Sequence, residues 1–527
     1  MTFSPVNWSS RFAAAIMTPQ PLVLALVCCL AFRTARTEYT AEFDSHAVYA
    51  DNATDVNRAC AELCTVLEST FASTVALRNT TAFKANQNSY WSQFQAEVSP
   101  QCFIQPATAE EVAAIVVEAA TRDCPFAVRS GGHAAYVGGS NIPDGLTIDL
   151  TLLNELTVSE DRETTRIGPG NMWINVYQKL TPMGLSVVGG RVANIGVGGL
   201  TLGGGISWYV GRRGWACDGV RNYELVTADG EILQVNLASY PDLYWALRGG
   251  GNNFGIVTRF DLETFEQGPM WGGAVFNSIE HNATLLDALV DFTSKASEDI
   301  DAFTWVALVY VQPQESWFAS TEMVSAKPEP NPAIFKDLAA VAALQSSLRA
   351  TDIADLALEM KESNPNGLRQ NWWTLTFKNN AEILKIAHKI HAEEVEAIKD
   401  VAGLVAPMVA QPITLDVIRL FSKNGGNPLG MKEEDGPLQL LNIASMWADS
   451  SRDEEVMAAH SRMIDRMVAA AKELGVYHPY IYQNYAANEQ DVFAGYGEEN
   501  RARLREISRK FDPEQVFQRL QPGYFKL

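Results

Sequence analysis

The chain has 527 residues, of which 47% are hydrophobic. This length exceeds the usual size of one hydrophobic core, so it predicts two domains or one domain with a large insertion. Lys and Arg number 41 and Asp and Glu number 62, which gives a formal net charge of −21. An acidic protein is repelled by nucleic-acid phosphates and by anionic membrane surfaces, so neither is expected as a partner.

The N-terminal region contains a twelve-residue uncharged run, PLVLALVCCLAF, at 21–32. The run is too short to span a bilayer and is typical of the core of a secretory signal. We therefore predict a signal peptide and leader in residues 1–38 and a secreted chain, with a buried hydrophobic segment as the alternative. Three Asn-X-Ser/Thr sequons agree with a secreted glycoprotein: Asn52, Asn79 and Asn282.

Seven cysteines bear on the redox compartment. Two of them, Cys28 and Cys29, lie in the predicted signal. An oxidising compartment favours disulfides among the next four, which allow three connectivities: Cys60, Cys64, Cys102 and Cys124. Cys217 is then left over, and we interpret it as a buried free thiol.

No Cys/His spacing in the sequence resembles a zinc site. His388 and His391 stand three residues apart in KIAHKIHAEE, the spacing of one helix face. We interpret this pair as part of a solvated helix face, and we predict no metal ion.

Short strands and helices alternate between residues 106 and 265, which predicts an α+β domain. FAVRS and LTIDL are predicted strands on either side of a glycine-rich turn, and Thr108 with Glu111 forms a capping box for the helix before them. YELVTADGEILQVN predicts a β-hairpin that turns at Asp229–Gly230. The segment NMWINVYQKL predicts a helix with one apolar face: Trp173, Val176, Tyr177 and Leu180.

The pattern changes near residue 270. From there to about residue 474, FTWVALVY and LQLLNIASMW predict strands and DEEVMAAHSRMIDRMVAAAKEL predicts a long helix. We expect a second domain here, built on an antiparallel sheet backed by helices.

Three glycine-rich stretches lie at 129–140, 189–205 and 248–257. Glycine lets the backbone approach a ligand closely, and successive N–H groups can bind phosphate. The sequence has no G-x-x-x-x-G-K-[ST], and no G-x-G-x-x-G opens a helix after a strand. A P-loop nucleotidase and a Rossmann dinucleotide site are therefore disfavoured.

Four segments occur in an order that points to one family: FAVRSGGHAAYVGGS, VVGGRVANIGVGGLTLGGGISWYVGRRGWACD, ALRGGGNNFGIVTRFDL and YQNYAANEQDVFAGYGEENRARLREISRKFDPEQVF. Over residues 60–527 the chain resembles the FAD-linked oxidases of the vanillyl-alcohol oxidase superfamily, above all the fungal members of the berberine-bridge-enzyme-like branch. The resemblance implies a two-domain α+β flavoprotein. A PCMH-type FAD-binding domain at 60–270 would be completed by residues 475–527, and an inserted substrate domain would occupy 271–474.

The resemblance also implies a covalent cofactor. In the family, the turn R-S-G-G-H wraps the FAD pyrophosphate, and its histidine bonds to the 8α-methyl carbon of the flavin. That role falls on His133, with Arg129 to Gly132 as the cradle. The alternative is a turn histidine that makes one hydrogen bond.

Many relatives add a cysteinyl bond to the flavin within C-x-x-[VI]-G-x-G-G. This chain has Val192 at the cysteine position, so we expect a single link through His133. Ile195 occupies a position near the flavin where relatives carry a smaller residue, and its bulk could hinder oxygen. The cofactor-binding residues that the resemblance implies are Arg129, Ser130, Gly131, Gly132, His133, Ser140, Ile195, Gly196, Val197, Gly198, Gly199, Gly203, Gly204, Gly255, Ile256, Val257 and Asn484.

Two tyrosines in YQNY are the predicted catalytic residues. In relatives the second, here Tyr485, commonly lies over the flavin as catalytic base, and the first, here Tyr482, supports it. The ordinary pKa of a phenol is ~10, so a tyrosine base needs nearby donors or positive charge. The alternatives are that both rings pack a core, or that a glutamate of the second domain is the base.

The implied reaction is oxidation of an alcohol, hemiacetal or related C–H group of a small molecule, with a secondary metabolite as the expected substrate. Hydride would pass to flavin N5, and oxygen or another acceptor would reoxidise the flavin. Two alternatives remain: a secreted carbohydrate oxidase and a non-catalytic flavin-binding protein. A nicotinamide-dependent dehydrogenase is disfavoured because its fingerprint is missing.

Overall fold

The computed structural model describes residues 53–527. The predicted signal at 21–32, Cys28, Cys29 and Asn52 lie outside the described residues. The strands, numbered in chain order, are β1 (Val75–Leu77), β2 (Cys102–Ile104), β3 (Phe126–Arg129), β4 (Leu146–Asp149), β5 (Leu156–Val158), β6 (Thr164–Ile167), β7 (Leu185–Ser186), β8 (Val220–Val226), β9 (Ile232–Val235), β10 (Ile256–Glu263), β11 (Phe265–Glu266), β12 (Met270–Ser278), β13 (Ala302–Val311), β14 (Ser316–Ser325), β15 (Ala343–Ser346), β16 (Arg349–Thr351), β17 (Arg369–Lys378), β18 (Val405–Ile413), β19 (Leu438–Trp447) and β20 (Tyr477–His478).

The helices that connect and cover these strands are α1 (Ala53–Phe71), α2 (Thr81–Gln87), α3 (Gln93–Ala96), α4 (Ala109–Thr121), α5 (Trp173–Leu180), α6 (Val197–Leu202), α7 (Val210–Arg213), α8 (Pro241–Leu247), α9 (Asn282–Lys295), α10 (Lys336–Ala339), α11 (Ile353–Glu362), α12 (Ala381–Ile398), α13 (Leu415–Leu420), α14 (Asp453–Glu473), α15 (Glu498–Phe511) and α16 (Val516–Arg519). Among residues 53–527, none of these helices combines the length and the apolar character that crossing a membrane requires.

A four-stranded sheet in the order β1-β2-β4-β3 carries the first glycine-rich turn at the end of β3. The predicted helix before β3 is α4. The Thr108 hydroxyl caps α4 by accepting a bond from the Glu111 N–H, and the Glu111 carboxylate accepts one from the Ala107 N–H. Buried apolar residues of α4 then cover the sheet.

Two disulfides tie α1 to this layer. Cys60 bonds to Cys124 and Cys64 bonds to Cys102, so the prediction of disulfides among these four cysteines is confirmed. Of the three connectivities that the sequence leaves open, the fold selects the one that links α1 to the end of α4 and to β2. Cys217 is free and buried, as predicted.

A five-stranded antiparallel sheet follows in the order β5-β6-β10-β8-β9. The predicted hairpin is formed by β8 and β9, and Gly230 in its turn has a φ of 84°, which favours glycine. The predicted helix is α5, and all four residues of its predicted apolar face are buried.

The remaining strands form a nine-stranded antiparallel sheet in the order β15-β12-β14-β13-β18-β19-β17-β20, with β16 paired to β12. Apolar residues on one face of this sheet pack with α9, α12 and α14 into a single core. The prediction of an antiparallel sheet backed by helices is confirmed. The boundaries at residues 270 and 475 stay a prediction.

The prediction of a solvated helix face at His388 and His391 was wrong. His391 in α12 is fully buried, and His388 is half-buried. Both lie on the stripe that Leu384 and Val395 define, since positions 384, 388, 391 and 395 follow the helical i, i+4, i+7, i+11 spacing. The Trp317 ring packs edge-on against both imidazoles. Burial lowers the pKa of His388 to about 4 and that of His391 further, so both rings are neutral.

Candidate active site

The first and second glycine-rich stretches pack directly against each other. A Cβ on Gly131 would lie 2.4 Å from the backbone nitrogen of Gly196, so only glycine permits this approach. The Ser130 hydroxyl accepts a bond of 3.1 Å from the Gly198 N–H and donates one of 2.6 Å to the Pro169 carbonyl. The turn after β3 is thereby held against the start of α6, with Gly132 at a φ of 66°.

The side chain of Arg129 anchors a different segment from the predicted cradle. Its guanidinium donates to the carbonyls of Asn86 and Ser89, and it lies 4.0 Å over the ring of Tyr90. Ser140 is similarly occupied, because its N–H donates to the Gln95 side chain and its carbonyl accepts from Tyr90. For these two predicted cofactor residues, the side chains serve the protein's own packing.

His133, the predicted attachment residue, lies in the turn that follows β3. Its side chain is half-buried, but its Nε2 atom is buried and has no hydrogen-bond partner in the described chain. The indole of Trp91 stacks on the imidazole at 3.8 Å, and Trp372 contacts its edge at 6.1 Å. Burial lowers the pKa of His133 to about 3, so the ring is neutral. Its Nε2 makes none of the hydrogen bonds expected of an ordinary turn histidine.

Tyr482 and Tyr485 lie together, with ring centroids 4.8 Å apart. The Tyr482 oxygen accepts bonds from the N–H of Gly205 at 3.2 Å and from the Asn484 amide at 3.1 Å. The Asn484 oxygen in turn accepts a bond from Tyr524. Burial raises the pKa of Tyr482, so its side chain stays a neutral phenol.

The second glycine-rich stretch makes room for this tyrosine pair. A Cβ on Gly203 would lie 2.1 Å from the Asn484 Oδ1 atom. A Cβ on Gly204, whose φ is 112°, would lie 2.7 Å from the ring of Trp215, which packs against Tyr482. The glycines at these positions therefore shape the tyrosine site.

Arg191 joins the second stretch to Tyr485. Its guanidinium donates a hydrogen bond of 2.7 Å to the Tyr485 oxygen and lies 5.0 Å from the ring centre of Phe303. Arg191 is only 9% exposed, yet among the described residues no carboxylate lies within 4.0 Å of its nitrogens. A buried cation without a carboxylate partner favours negative charge on the groups around it.

Glu322 on β14 is an acidic residue whose pKa is affected by the charge of Arg191. It is 2% exposed, and its carboxyl group accepts a hydrogen bond from the indole of Trp305. Burial raises the pKa of Glu322 to about 7, and the charge of Arg191 opposes that rise.

The other predicted cofactor residues contact mainly the protein's own core and backbone. The side chain of Ile195 is half-buried against the core, and its carbonyl accepts a bond from the Trp173 N–H. Val192 is buried, and its hydrocarbon side chain cannot form a thioether. Gly196, Val197, Gly198 and Gly199 belong to the cap and body of α6, and Gly199 is exposed. Gly255, Ile256 and Val257 pack on β8, where both larger side chains are 3% exposed in hydrophobic cores.

Four residues of the site were not predicted from the sequence: Trp91, Arg191, Glu322 and Trp372. Arg191 carries a visible signal, since it is the one charged residue in the glycine-rich stretch 189–205. Glu322 also carries one, as a carboxylate in the otherwise uncharged strand β14. The two tryptophans come from segments with no motif.

Residues 100–236 match the family described as FAD binding domain. An FAD-dependent monooxygenase of Cochliobolus heterostrophus is 38% identical over 490 residues, which cover 89% of this chain and 94% of that protein. An FAD-dependent monooxygenase of Fusarium proliferatum is 39% identical over 451 residues, or 83% of this chain and 87% of its own length.

Solved structures share the fold. 6-Hydroxy-D-nicotine oxidase from Arthrobacter nicotinovorans superposes with a TM-score of 0.71 at 20% identity, covering 84% of this chain and 96% of its own. Xylooligosaccharide oxidase from Myceliophthora thermophila superposes with a TM-score of 0.68 at 20% identity, covering 90% and 99%. At this identity the similarity concerns the fold alone.

Proposed function

Because the chain belongs to the FAD-linked oxidoreductases with a PCMH-type FAD-binding domain, we propose that it oxidises a hydroxyl-bearing carbon of a small secondary metabolite. In this proposal FAD is attached through His133 alone and Tyr485 is the base. The observation that carries it is the hydrogen bond of 2.7 Å from Arg191 to the Tyr485 oxygen.

The residues present fit a flavin dinucleotide. The contact between Gly131 and Gly196 brings bare backbone from two glycine-rich stretches to one place, which suits a pyrophosphate. The unpartnered Nε2 of His133 beside that turn suits attachment. When bound, FAD accepts a hydride from the substrate carbon and passes the electrons to oxygen or another acceptor.

His133 supports a single covalent link. Its neutral ring keeps a nitrogen lone pair available, and stacking on Trp91 fixes the plane of the ring. With Val192 at the position of the second attachment point, His133 holds the cofactor alone.

Tyr485 and Arg191 have separate roles in the proposed proton transfer. The Arg191 guanidinium donates a hydrogen bond to the Tyr485 oxygen and so fixes the position of that oxygen in the site. As the substrate C–H bond breaks, the hydroxyl proton passes to the Tyr485 oxygen, and the substrate becomes a carbonyl compound. Tyr482, kept neutral by burial, holds Asn484 and the neighbouring backbone in place.

The test is anaerobic bleaching of the bound flavin by a panel of alcohols, sugars and aromatic polyketides, followed by turnover under ¹⁸O₂. A product that has lost two hydrogens and contains no ¹⁸O supports the proposal. Incorporation of one ¹⁸O atom would instead assign monooxygenation, the activity named for the two fungal relatives. Reduction by sugars alone would assign a carbohydrate oxidase, and no reduction by any compound would leave a flavin-binding protein.

Secretion belongs to the same proposal. The two disulfides support passage through an oxidising compartment. Native protein should begin after Phe32 and carry glycans, and the exposed Asn79 is a suitable acceptor. An N-terminal sequence that starts near Met1 would contradict it.

A further inference from the structure

One face of the nine-stranded sheet carries polar side chains, whereas the other is apolar. Across five neighbouring strands, one row of directly opposed residues consists of Ser320, Ala307, Val409, Asn442 and Thr374. Side chains alternate with a period of two, so residues two positions along each strand share this face: Glu322, Trp305, Gln411 and Trp372. The opposite face carries Val306, Ala410, Leu441 and Leu375, which pack with the helices.

Two amide side chains on the polar face lack hydrogen-bond partners. Gln411 is 2% exposed, and neither its Oε1 nor its Nε2 is bonded within the described chain. The Oδ1 of Asn442, a residue 7% exposed, is also unbonded there. A buried amide without partners destabilises a protein, and a ligand that supplies the missing bonds removes that cost. The Oε1 of Gln439 on the opposite face is also unbonded, but its Nε2 is bonded, whereas Gln411 lacks partners for both atoms.

The two amides are neighbours. Gln411 lies opposite Leu440, two residues from Asn442, so the two residues are diagonal neighbours on adjacent strands, with their backbones about 7–8 Å apart. Two side chains at this separation can both contact one ring-sized molecule.

The pair Arg191–Tyr485 lies across the same face. Arg191 covers Phe303, which is on β13 two residues from Trp305, and Tyr485 contacts Trp372 on β17 at 5.5 Å. Strands β18 and β19 lie between β13 and β17 and carry Gln411 and Asn442. A hydrogen bond from Arg191 to Tyr485 therefore bridges the two strands whose amides are unbonded.

We propose that Gln411 and Asn442 bind a ring substrate with two hydroxyl donors and one acceptor, and thereby select it. The Oε1 and Oδ1 atoms accept bonds from the two hydroxyls, and the Gln411 Nε2 donates to the acceptor. This placement brings a further oxygen-bearing carbon of the ring within reach of Tyr485. The assignment of the two amides rests on the proposed function. The ring is aromatic, as in a polyphenol, or saturated, as in a sugar.

The probes are 3,5-dihydroxyacetophenone, its 3,5-dimethoxy analogue and cellobiose, titrated into holoenzyme with tryptophan fluorescence and flavin absorbance as readouts. Gln411→Met keeps the shape of the side chain and removes both bonding atoms. The matched control is Gln439→Met, because Gln439 is a buried amide of the opposite face whose Nε2 donates to Thr293 and Asn379. A second readout is the melting temperature of each holoenzyme.

Gln411→Met should weaken binding of a hydroxylated probe at least about tenfold. The dimethoxy analogue should bind weakly to wild type and variant alike, and Gln439→Met should bind as wild type. Gln411→Met should also melt at the same or a higher temperature, since it removes unbonded amide atoms, whereas Gln439→Met should melt lower. Binding by dihydroxyacetophenone assigns the aromatic class, and binding by cellobiose alone assigns the sugar class.

The proposal is overturned if neither hydroxylated probe binds wild type, or if Gln411→Met binds as tightly as wild type. Tyr485→Phe separates this result from the proposed function, because it should slow flavin reduction about 10²–10⁴-fold and leave probe binding unchanged. Unaltered reduction in Tyr485→Phe would refute the assigned base without touching the role of the two amides.

Discussion

The indole of Trp91 lies parallel to the imidazole of His133, with ring centroids 3.8 Å apart and the two planes inclined by 11°. Trp91 comes from the short segment between α2 and α3, far from the glycine-rich turn in sequence. Stacking of this kind restricts the rotation of the smaller ring. The N-terminal segment therefore sets the orientation in which His133 presents its free nitrogen.

The first prediction is that Trp91→Leu lowers the fraction of covalently bound flavin. Without the indole face, the imidazole samples other rotamers and presents Nε2 less often in the reactive direction. Flavin fluorescence of the denatured protein band and flavin released by acid precipitation measure the attached and free fractions.

Two further variants serve as controls for Trp91→Leu. His133→Ala should release all flavin into the acid supernatant, and Trp91→Phe, which keeps an aromatic face, should retain more attachment than Trp91→Leu. In wild type, the peptide containing Arg129 to Ser140 should carry the mass of FAD or of its FMN fragment. An unmodified peptide from holoenzyme would show that His133 is only a turn residue.

The second prediction concerns Tyr485. Tyr485→Phe keeps the ring and removes the oxygen that Arg191 binds, so the rate of flavin reduction should fall about 10²–10⁴-fold while the flavin stays bound. Stopped-flow reduction by substrate measures this rate. A Phe variant that turns over like wild type would move the base to another group, and Glu322, on which the charge of Arg191 also acts, is the candidate.

Arg191→Met tests the hydrogen bond to Tyr485. Loss of the donor should slow flavin reduction, whereas Arg191→Lys, which keeps a donor and a positive charge, should slow it less. Equal rates for both variants and wild type would show that this hydrogen bond does not contribute to the reaction.

Much of this molecule is predictable because it depends on local sequence. The cap at Thr108, the hairpin at Gly230 and the buried face of α5 follow from short-range patterns, and the structure confirms each. The free state of Cys217 is equally predictable once the four other cysteines are paired.

The rest depends on contacts between distant segments. The pairing of Tyr485 with Arg191 joins residues 294 positions apart, and no periodicity links them. His391 was misjudged for a similar reason, because the sequence does not show which neighbouring layer buries this face of the helix. The unbonded state of Gln411 is visible only after the sheet register is known.

The third prediction concerns the contact between the two glycine-rich stretches. Gly131→Ala should lose FAD and melt at a lower temperature, because its Cβ would lie 2.4 Å from the Gly196 nitrogen and 2.6 Å from the Gly196 Cα atom. Gly268→Ala is the control, since Gly268 is exposed and a Cβ there meets no atom within 4 Å. Flavin content per protein and melting temperature decide the comparison, and equal values for the two variants would count against the cradle.

The last prediction is a pH dependence of stability that originates at Glu322. Burial raises the pKa of this carboxyl from its ordinary value of 4.5 to about 7 in the folded protein. The folded state therefore binds a proton more tightly than the unfolded state. Its stabilising effect is fully present below pH 4.5 and is lost as the pH rises through about 7.

Over this window the shift corresponds to a loss of about 3 kcal/mol in the free energy of unfolding. Glu322→Gln cannot ionise, so its holoenzyme should lose less stability than wild type between pH 5 and pH 8, as measured by denaturant unfolding. The exposed Glu280, changed to Gln, is the control and should follow wild type. If Glu322→Gln shows the same pH dependence as wild type, the carboxyl group takes up no proton in that range, and it is then the counter-charge of Arg191.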